Sequence, residues 1–201
     1  MRKLLLTIAL ALLLPLLAGA WTPRFSYGLE WGYTGTFLKT AQHNFICNEG
    51  YRIIENPTVL RYFSNGLLMA GAGADLGNYF NLSVYSGVQG IYSERLAIPL
   101  EMRVKWCPGG LHADGLLLMA GGGLSFPVKY PRETGFIAQA GGGYRIVLNR
   151  TMSVDLTARW NFTLDHENII DPDTRRTVPR SLISSNTAEY QAVNLSIALN
   201  F

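Results

Sequence analysis

The chain has 201 residues, 48% of them hydrophobic, with 17 basic and 14 acidic side chains and a formal net charge of +3. That length makes one domain, and a balance so near neutral, with no basic stripe, argues against nucleic acid as a partner. Beyond the first twenty residues no stretch approaches the ~18–20 consecutive apolar residues of a spanning helix, so helical membrane proteins are excluded too.

Met1-Arg2-Lys3 is a short basic segment, residues 4–17 are an apolar run broken by Pro15, and Ala18-Gly19-Ala20 has the small-residue pattern of a cleavage site. This predicts a secretory signal peptide over 1–20, cut after Ala20, ahead of a domain over 21–201. The alternative, a membrane anchor, would need an apolar run of ~20 residues. No Cys follows the site, so no lipid anchor is expected there. Losing Arg2 and Lys3 leaves fifteen basic against fourteen acidic residues, and a protein that is secreted or held at the cell surface.

From Phe25 onward the chain alternates. Phe25, Tyr27, Leu29, Trp31, Tyr33 and Phe37 are apolar or aromatic, and Ser26, Gly28, Glu30, Gly32, Thr34 and Thr36 lie between them. Period-two alternation marks a strand with one apolar and one polar face. A loop is expected over 39–62, then an Ala- and Gly-rich strand over 67–76 whose register the pattern leaves open. A short turn at Gly77-Asn78 leads to Phe80, Leu82, Val84 and Val88 against Asn81, Ser83, Tyr85 and Gln89. After a brief connection at Tyr92-Ser93-Glu94, the chain sets Leu96, Ile98, Leu100, Met102, Val104 and Trp106 against Glu101, Arg103 and Lys105.

Residues 107–115 form the next connection. Leu116, Leu118, Ala120, Leu124 and Phe126 then face away from Met119, Gly121, Gly123 and Ser125. A loop over 127–134 precedes Phe136, Ala138, Ala140, Tyr144 and Ile146 against Gln139, Gly141, Gly143 and Arg145. A turn at Leu148-Asn149-Arg150 leads to the most regular run, Met152 to Leu164 at even positions against Ser153, Asp155, Thr157, Arg159, Asn161 and Thr163. A polar loop over 165–187 precedes the last strand, with Val193, Leu195, Ile197, Leu199 and Phe201 against Asn194, Ser196, Ala198 and Asn200. The count is eight strands.

Two all-β architectures use such strands. A sandwich buries its apolar faces in a shared core, whereas a transmembrane antiparallel up-and-down barrel turns them to lipid and encloses the polar faces. The strands are long against a sandwich norm of ~5–6 residues and match the ~9–11 of a tilted span. Trp31, Trp106, Trp160, Phe162 and Phe201 fall near apolar strand ends, where a membrane girdle wants aromatics. The polar faces, crowded with Gly, Ala and Ser, suit a narrow lumen. A one-residue slip would turn Glu101, Arg103 and Lys105 into lipid at a cost on the order of 5–10 kcal/mol, so the even face of that strand is the one expected to meet lipid.

The segments SERLAIPLEMRVKW, LLLMAGGGLSF, GFIAQAGGGYRI and AVNLSIALNF resemble the small bacterial outer-membrane β-barrels of OmpA/OmpX-like kind. They are closest to the PorT-type outer membrane protein β-barrel domain, or porin family. The resemblance implies outer-membrane lipid around the barrel and recognition by the barrel-assembly machinery, with Phe201 as the assembly signal. It also implies that the last strand closes on the first.

An eight-stranded interior is just wide enough for side chains. The expected inward charges are Glu30, Glu101, Arg103, Lys105, Arg145, Asp155 and Arg159, four basic against three acidic. They read either as a packed ionic plug, since an unpaired buried charge is strongly destabilising, or as the lining of a small porin that mildly favours anions. Cys47 and Cys107 are expected on opposite ends of an apolar band ~25 Å tall. A disulfide needs Cα atoms within about 7 Å, so none is expected. His43, His112 and His166 are too scattered for a metal site, and no cofactor is expected. Asp165-His166-Glu167 lacks a nucleophile of recognisable context and reads as a solvated loop; the chain is not expected to be an enzyme. Asp171 and Asp173 in IDPDT read as a turn rather than a calcium site. The long loops offer a surface for an extracellular ligand, and a monomer is expected.

Overall fold

The computed structural model describes residues 24–93, 95–129 and 133–201; the expected signal peptide over 1–20 lies outside them. Nine strands follow in chain order: β1 (Arg24–Ile46), β2 (Arg52–Glu55), β3 (Thr58–Leu76), β4 (Phe80–Tyr92), β5 (Arg95–Trp106), β6 (Gly115–Pro127), β7 (Gly135–Val147), β8 (Ser153–Asp165) and β9 (Ile183–Asn200). Every pairing is antiparallel between neighbours, and β9 also pairs with β1, which closes the sheet into a ring. Eight strands make the ring. The ninth, β2, continues the line of β3 along β1 beyond a break at Asn56-Pro57.

The strands are staggered. A rung of partners that leaves β1 at Leu29 runs through Ala70, Ser86, Leu100, Leu124, Phe136, Leu164 and Glu189 and returns to β1 at Thr40. A barrel whose strands tilt needs such an offset. The chain end is part of the closure: Tyr27 N donates to the Phe201 carbonyl at 3.0 Å, and Phe201 N donates to the Tyr27 carbonyl at 2.9 Å.

The alternation resolves the facing. On β5, Met102 is 57% exposed and the next residue, Arg103, 1%. Leu96, Ile98, Leu100, Val104 and Trp106 share the outer face, while Glu101 and Lys105 are buried within. On β3, Leu68 and Leu76 are outside and Leu67 and Met69 inside, which fixes the register that the Ala- and Gly-rich pattern left open. The outer wall also carries an apolar groove of about 740 Å³ walled by Trp31, Tyr33, Tyr144, Leu156, Leu195 and Ile197.

The loop expected over 39–62 is largely strand: β1 continues to Ile46 and β3 starts at Thr58. A bulge between Thr36 and Leu38 hides this in the sequence. Before it the even residues Glu30, Thr34 and Thr36 are buried, and after it the odd residues Ala41 and Phe45. One inserted residue reverses the phase of an alternating pattern. The polar stretch expected to run to 187 is likewise shortened, because β9 begins at Ile183.

The β3–β4, β5–β6 and β7–β8 connections share one end of the barrel with the chain end, and the β4–β5, β6–β7 and β8–β9 connections share the other with the β1–β2 turn. An arginine on the outer wall near its middle costs ~2–4 kcal/mol. Met102→Arg should therefore lower the folding free energy by about that much in denaturant titrations of the barrel in lipid vesicles, against about 1 kcal/mol or less for Met102→Leu.

Candidate functional site

Tilted strands with small inward residues leave space that the long inward side chains of other strands fill. Gly121, Gly123, Gly141 and Gly143 sit opposite Arg103, Glu101, Arg159 and Thr157 across the ladders. Ser196 and Ala198 on β9 flank the inward charges of β8. All seven residues expected in the lumen, Glu30, Glu101, Arg103, Lys105, Arg145, Asp155 and Arg159, are buried there, and each is paired.

They form two layers. Nearer the turn end, Asp155 accepts from Lys105 Nζ at 2.9 Å and from Arg145 through Nε at 2.7 Å and Nη2 at 2.8 Å. Lys105 also reaches Asn200 Oδ1 at 3.0 Å, and Arg145 Nη1 reaches the Leu111 carbonyl at 3.0 Å. Above this layer Glu30 bridges two guanidiniums, those of Arg103 and Arg159. Arg103 Nε donates to Glu101 at 2.9 Å, and Gln139 donates to the same carboxylate. Arg159 Nη2 also contacts Ser196 Oγ at 3.2 Å. The upper layer is neutral, with two arginines against two glutamates. The lower holds two cations against one aspartate.

Several members of this constellation escape sequence reasoning. Tyr85 lies on the polar face of β4, where an aromatic reads as an exception. Its ring packs across the inner wall where Gly28 and Gly71 leave room: a Cβ on Gly71 would stand 2.6 Å from Tyr85 Cγ. The Arg103 guanidinium lies 4.2 Å from the Tyr85 ring centroid, an arrangement in which a desolvated cation is attracted to the ring. Met69, Gln139, Ser196 and Asn200 complete the contacts. The glycines facing Tyr85 were the available signal. At the turn end the network meets a cavity of about 750 Å³, whose lining includes Arg24, Asp75, His112, Arg145, Arg150 and Asn200.

The loop end is built rather than solvated, which corrects the reading of Asp165-His166-Glu167. Asp165 is fully buried and pairs with Arg95 at 2.8 Å. Glu167 accepts from Lys39 at 2.7 Å and Tyr190 at 2.5 Å, with His43 Nε2 at 3.7 Å. Burial pushes the Glu167 carboxyl up, but the hydrogen bonds from Lys39 and Tyr190 and the nearby Lys39 and Arg95 charges outweigh it and hold it below its ordinary value. Asp171 ties the β8–β9 loop to the β1–β2 turn, accepting from the backbone N–H of Asn48 at 2.7 Å, of Asp173 at 2.9 Å and of Thr174 at 3.1 Å. The Asn48 and Thr174 donors lower its pKa. Asp173 accepts from Tyr51 at 2.5 Å. Beneath, Phe45, Ile169 and Val178 form a small core.

Cys47 follows β1 at the loop end and Cys107 follows β5 at the turn end, and both are free thiols. His112 lies beside Arg24 at the turn end, away from His43 and His166. Among the described residues no group of three or more His, Cys, Asp or Glu could hold a metal ion.

No protein-family model and no curated protein matches the chain. Among solved structures, the crystal structure of Neisserial surface protein A is similar to it, with 9% identity over 90% of this chain and 98% of that one and a TM-score of 0.54. The fold is that of an outer-membrane β-barrel. Two further structures align at 10% identity: Ail, the attachment invasion locus protein of Yersinia pestis, in complex with the heparin analogue sucrose octasulfate, and the outer membrane protease OmpT from Escherichia coli. They cover 89% and 91% of this chain and 99% of each of those, with TM-scores of 0.35 and 0.39, and no argument rests on them.

Removing one partner of a buried ion pair costs about 3–5 kcal/mol, because it strands the other charge. Glu30→Ala leaves Arg103 and Arg159 without their shared carboxylate and should destabilise the barrel by about that amount in denaturant titrations. At the loop end, Glu167 and Asp171 have depressed pKa values, so their contribution is present above the ordinary carboxylate pKa and fades as pH falls through and below it. Amide protection factors of residues 166–182, taken relative to the intrinsic exchange rate at each pH, should therefore fall on acidification before those of the barrel strands, and Glu167→Gln should flatten part of that dependence.

Proposed function

We propose that the protein is an integral outer-membrane β-barrel of the PorT-type, porin-family kind, a monomer with a structural or surface-binding role and a lumen closed by ion pairs. The observation that carries this reading is the Glu30 carboxylate held between Arg103 and Arg159 across the interior, with Glu101 accepting from both Arg103 and Gln139 beside it. A solute would have to separate those pairs and desolvate each charge to pass. The chain is exported by way of its cleaved first twenty residues, sits among outer-membrane lipids, and meets an extracellular ligand through the joined β1–β2 and β8–β9 loops. It is not an enzyme: its loop-end Asp, His and Glu residues are engaged in ion pairs and hydrogen bonds that hold loops in place. Phe201, whose backbone completes the β1–β9 seam, serves as the signal read by the barrel-assembly machinery.

The second reading is a small porin, favoured by the polar interior and by the basic cavity at the turn end. Planar-bilayer recording from the refolded mature barrel separates the two. The closed-lumen reading expects a silent membrane from protein that shows heat-modifiable gel migration, and discrete current steps from Arg103→Ala/Arg159→Ala. Steps from the unaltered protein that change with Arg159→Glu would establish the porin instead. Deleting Phe201 should lower the heat-modifiable fraction assembled in cells several-fold while leaving refolding in detergent nearly unchanged.

A further inference from the structure

The turn-end cavity lies beyond the ionic layers and shares only Arg145 with their ion pairs. Its volume of about 750 Å³ falls within the ~300–1,000 Å³ of small-molecule sites. Three fastened segments build it. The β5–β6 connection is tied on both sides of Leu111, whose N donates to the Asn78 carbonyl at 2.7 Å and whose carbonyl accepts from Arg145 at 3.0 Å. Arg24 on β1 reaches the same connection, with its Nη1 3.2 Å from His112 Nε2. The β7–β8 turn is locked by Asn149, whose Oδ1 accepts from the backbone N–H of Thr151 and of Met152, each at 2.9 Å.

Charge and shape on this lining point to one kind of ligand. Arg24, Arg145 and Arg150 line the cavity, against Asp75 and the terminal carboxylate of Phe201. Arg145 is 6% exposed and shares its partner Asp155 with Lys105. Its Nε, Nη1 and Nη2 make one hydrogen bond each. A guanidinium carries five donors, so two remain to serve a ligand. Arg24 and Arg150 are exposed, and among the described residues neither takes part in an ion pair. Leu111, Val147 and Met152 give the same cavity an apolar side. A carboxylate offers two oxygens, which one guanidinium fork saturates, whereas a phosphate offers three and can engage several forks at once. We propose that the turn-end cavity binds a phosphate monoester, its phosphoryl group among Arg24, Arg145 and Arg150 and its organic part against Leu111, Val147 and Met152. A soluble ester and the headgroup of phosphatidic acid carry this same group, and the test separates them. The site goes beyond the closed-lumen reading and does not require it.

The refolded full barrel in a non-ionic maltoside detergent is titrated with phenyl phosphate while its backbone amide resonances are followed. Saturable shifts are expected at residues 24–26 and 149–153, with an affinity at least about tenfold above that for inorganic phosphate or for phenol. Arg24→Gln/Arg150→Gln should weaken binding at least about tenfold, and because both side chains are exposed it should keep native heat-modifiable migration. No saturable shift in the native barrel overturns the proposal, whether or not the variant folds. So does unchanged affinity in a folded variant, or equal affinity for phenol or inorganic phosphate. In phosphatidylcholine nanodiscs, displacement of bound phenyl phosphate by added phosphatidic acid assigns the lipid headgroup as the natural source, and its retention assigns a soluble ester. A barrel that binds the ester and conducts keeps this site and overturns the closed lumen alone. A silent barrel without saturable shifts overturns this site alone.

Discussion

Closing eight strands into a ring leaves an interior only as wide as the side chains that face it, so every inward charge must find its counter-charge within that section. Glu30 shows what the constraint demands. It stands on β1 and pairs with Arg103 from β5 and Arg159 from β8, so one carboxylate ties together strands on different sides of the ring. A slip of one residue on any of these strands would break a pair and turn a charged group to the outer wall. Strand register, closure and interior packing therefore depend on the same few contacts.

The glycines take their meaning from that network. Gly121 and Gly123 on β6, and Gly141 and Gly143 on β7, face the inside opposite residues whose side chains need the space. Gly28 and Gly71 give up their side chains to the ring of Tyr85, which in turn lies against Arg103. A small-residue wall and a crowded ionic centre are thus two aspects of one packing solution. Burying so many charges carries a desolvation cost that good geometry only balances, which favours reading the network as a device for register and closure rather than for extra stability.

Beyond the ring, the loop end forms a second assembly with its own logic. The bulge near Phe37 reverses the phase of β1, turning Ala41 and Phe45 inward. The strand thereby supplies Phe45 to the small core that seats the β8–β9 loop, with Asp171 and Glu167 fastening it on either side. A surface held this way presents fixed loops, and a preformed surface loses less entropy when it captures a ligand.

Much of this was legible in the chain itself. Alternation over the first part of β1 and over β5 to β9 determined the fold class, the lipid-facing residues and the seven inward charges, because a period of two leaves only two faces and lipid accepts only one of them. The alternation failed where a local irregularity intervened: one bulge residue on β1 disguised a strand as a loop, and the Ala–Gly run of β3 carried too little contrast to orient itself. Tertiary structure alone decided which charges meet, since Glu30, Arg103 and Arg159 lie on three strands and only the stagger of the closed ring brings them together. It also decided the Tyr85 contact, the burial of Asp165 and the ion pair of Glu167 with Lys39. Each of these depends on distances across the barrel, and a linear pattern records only the neighbours along a strand.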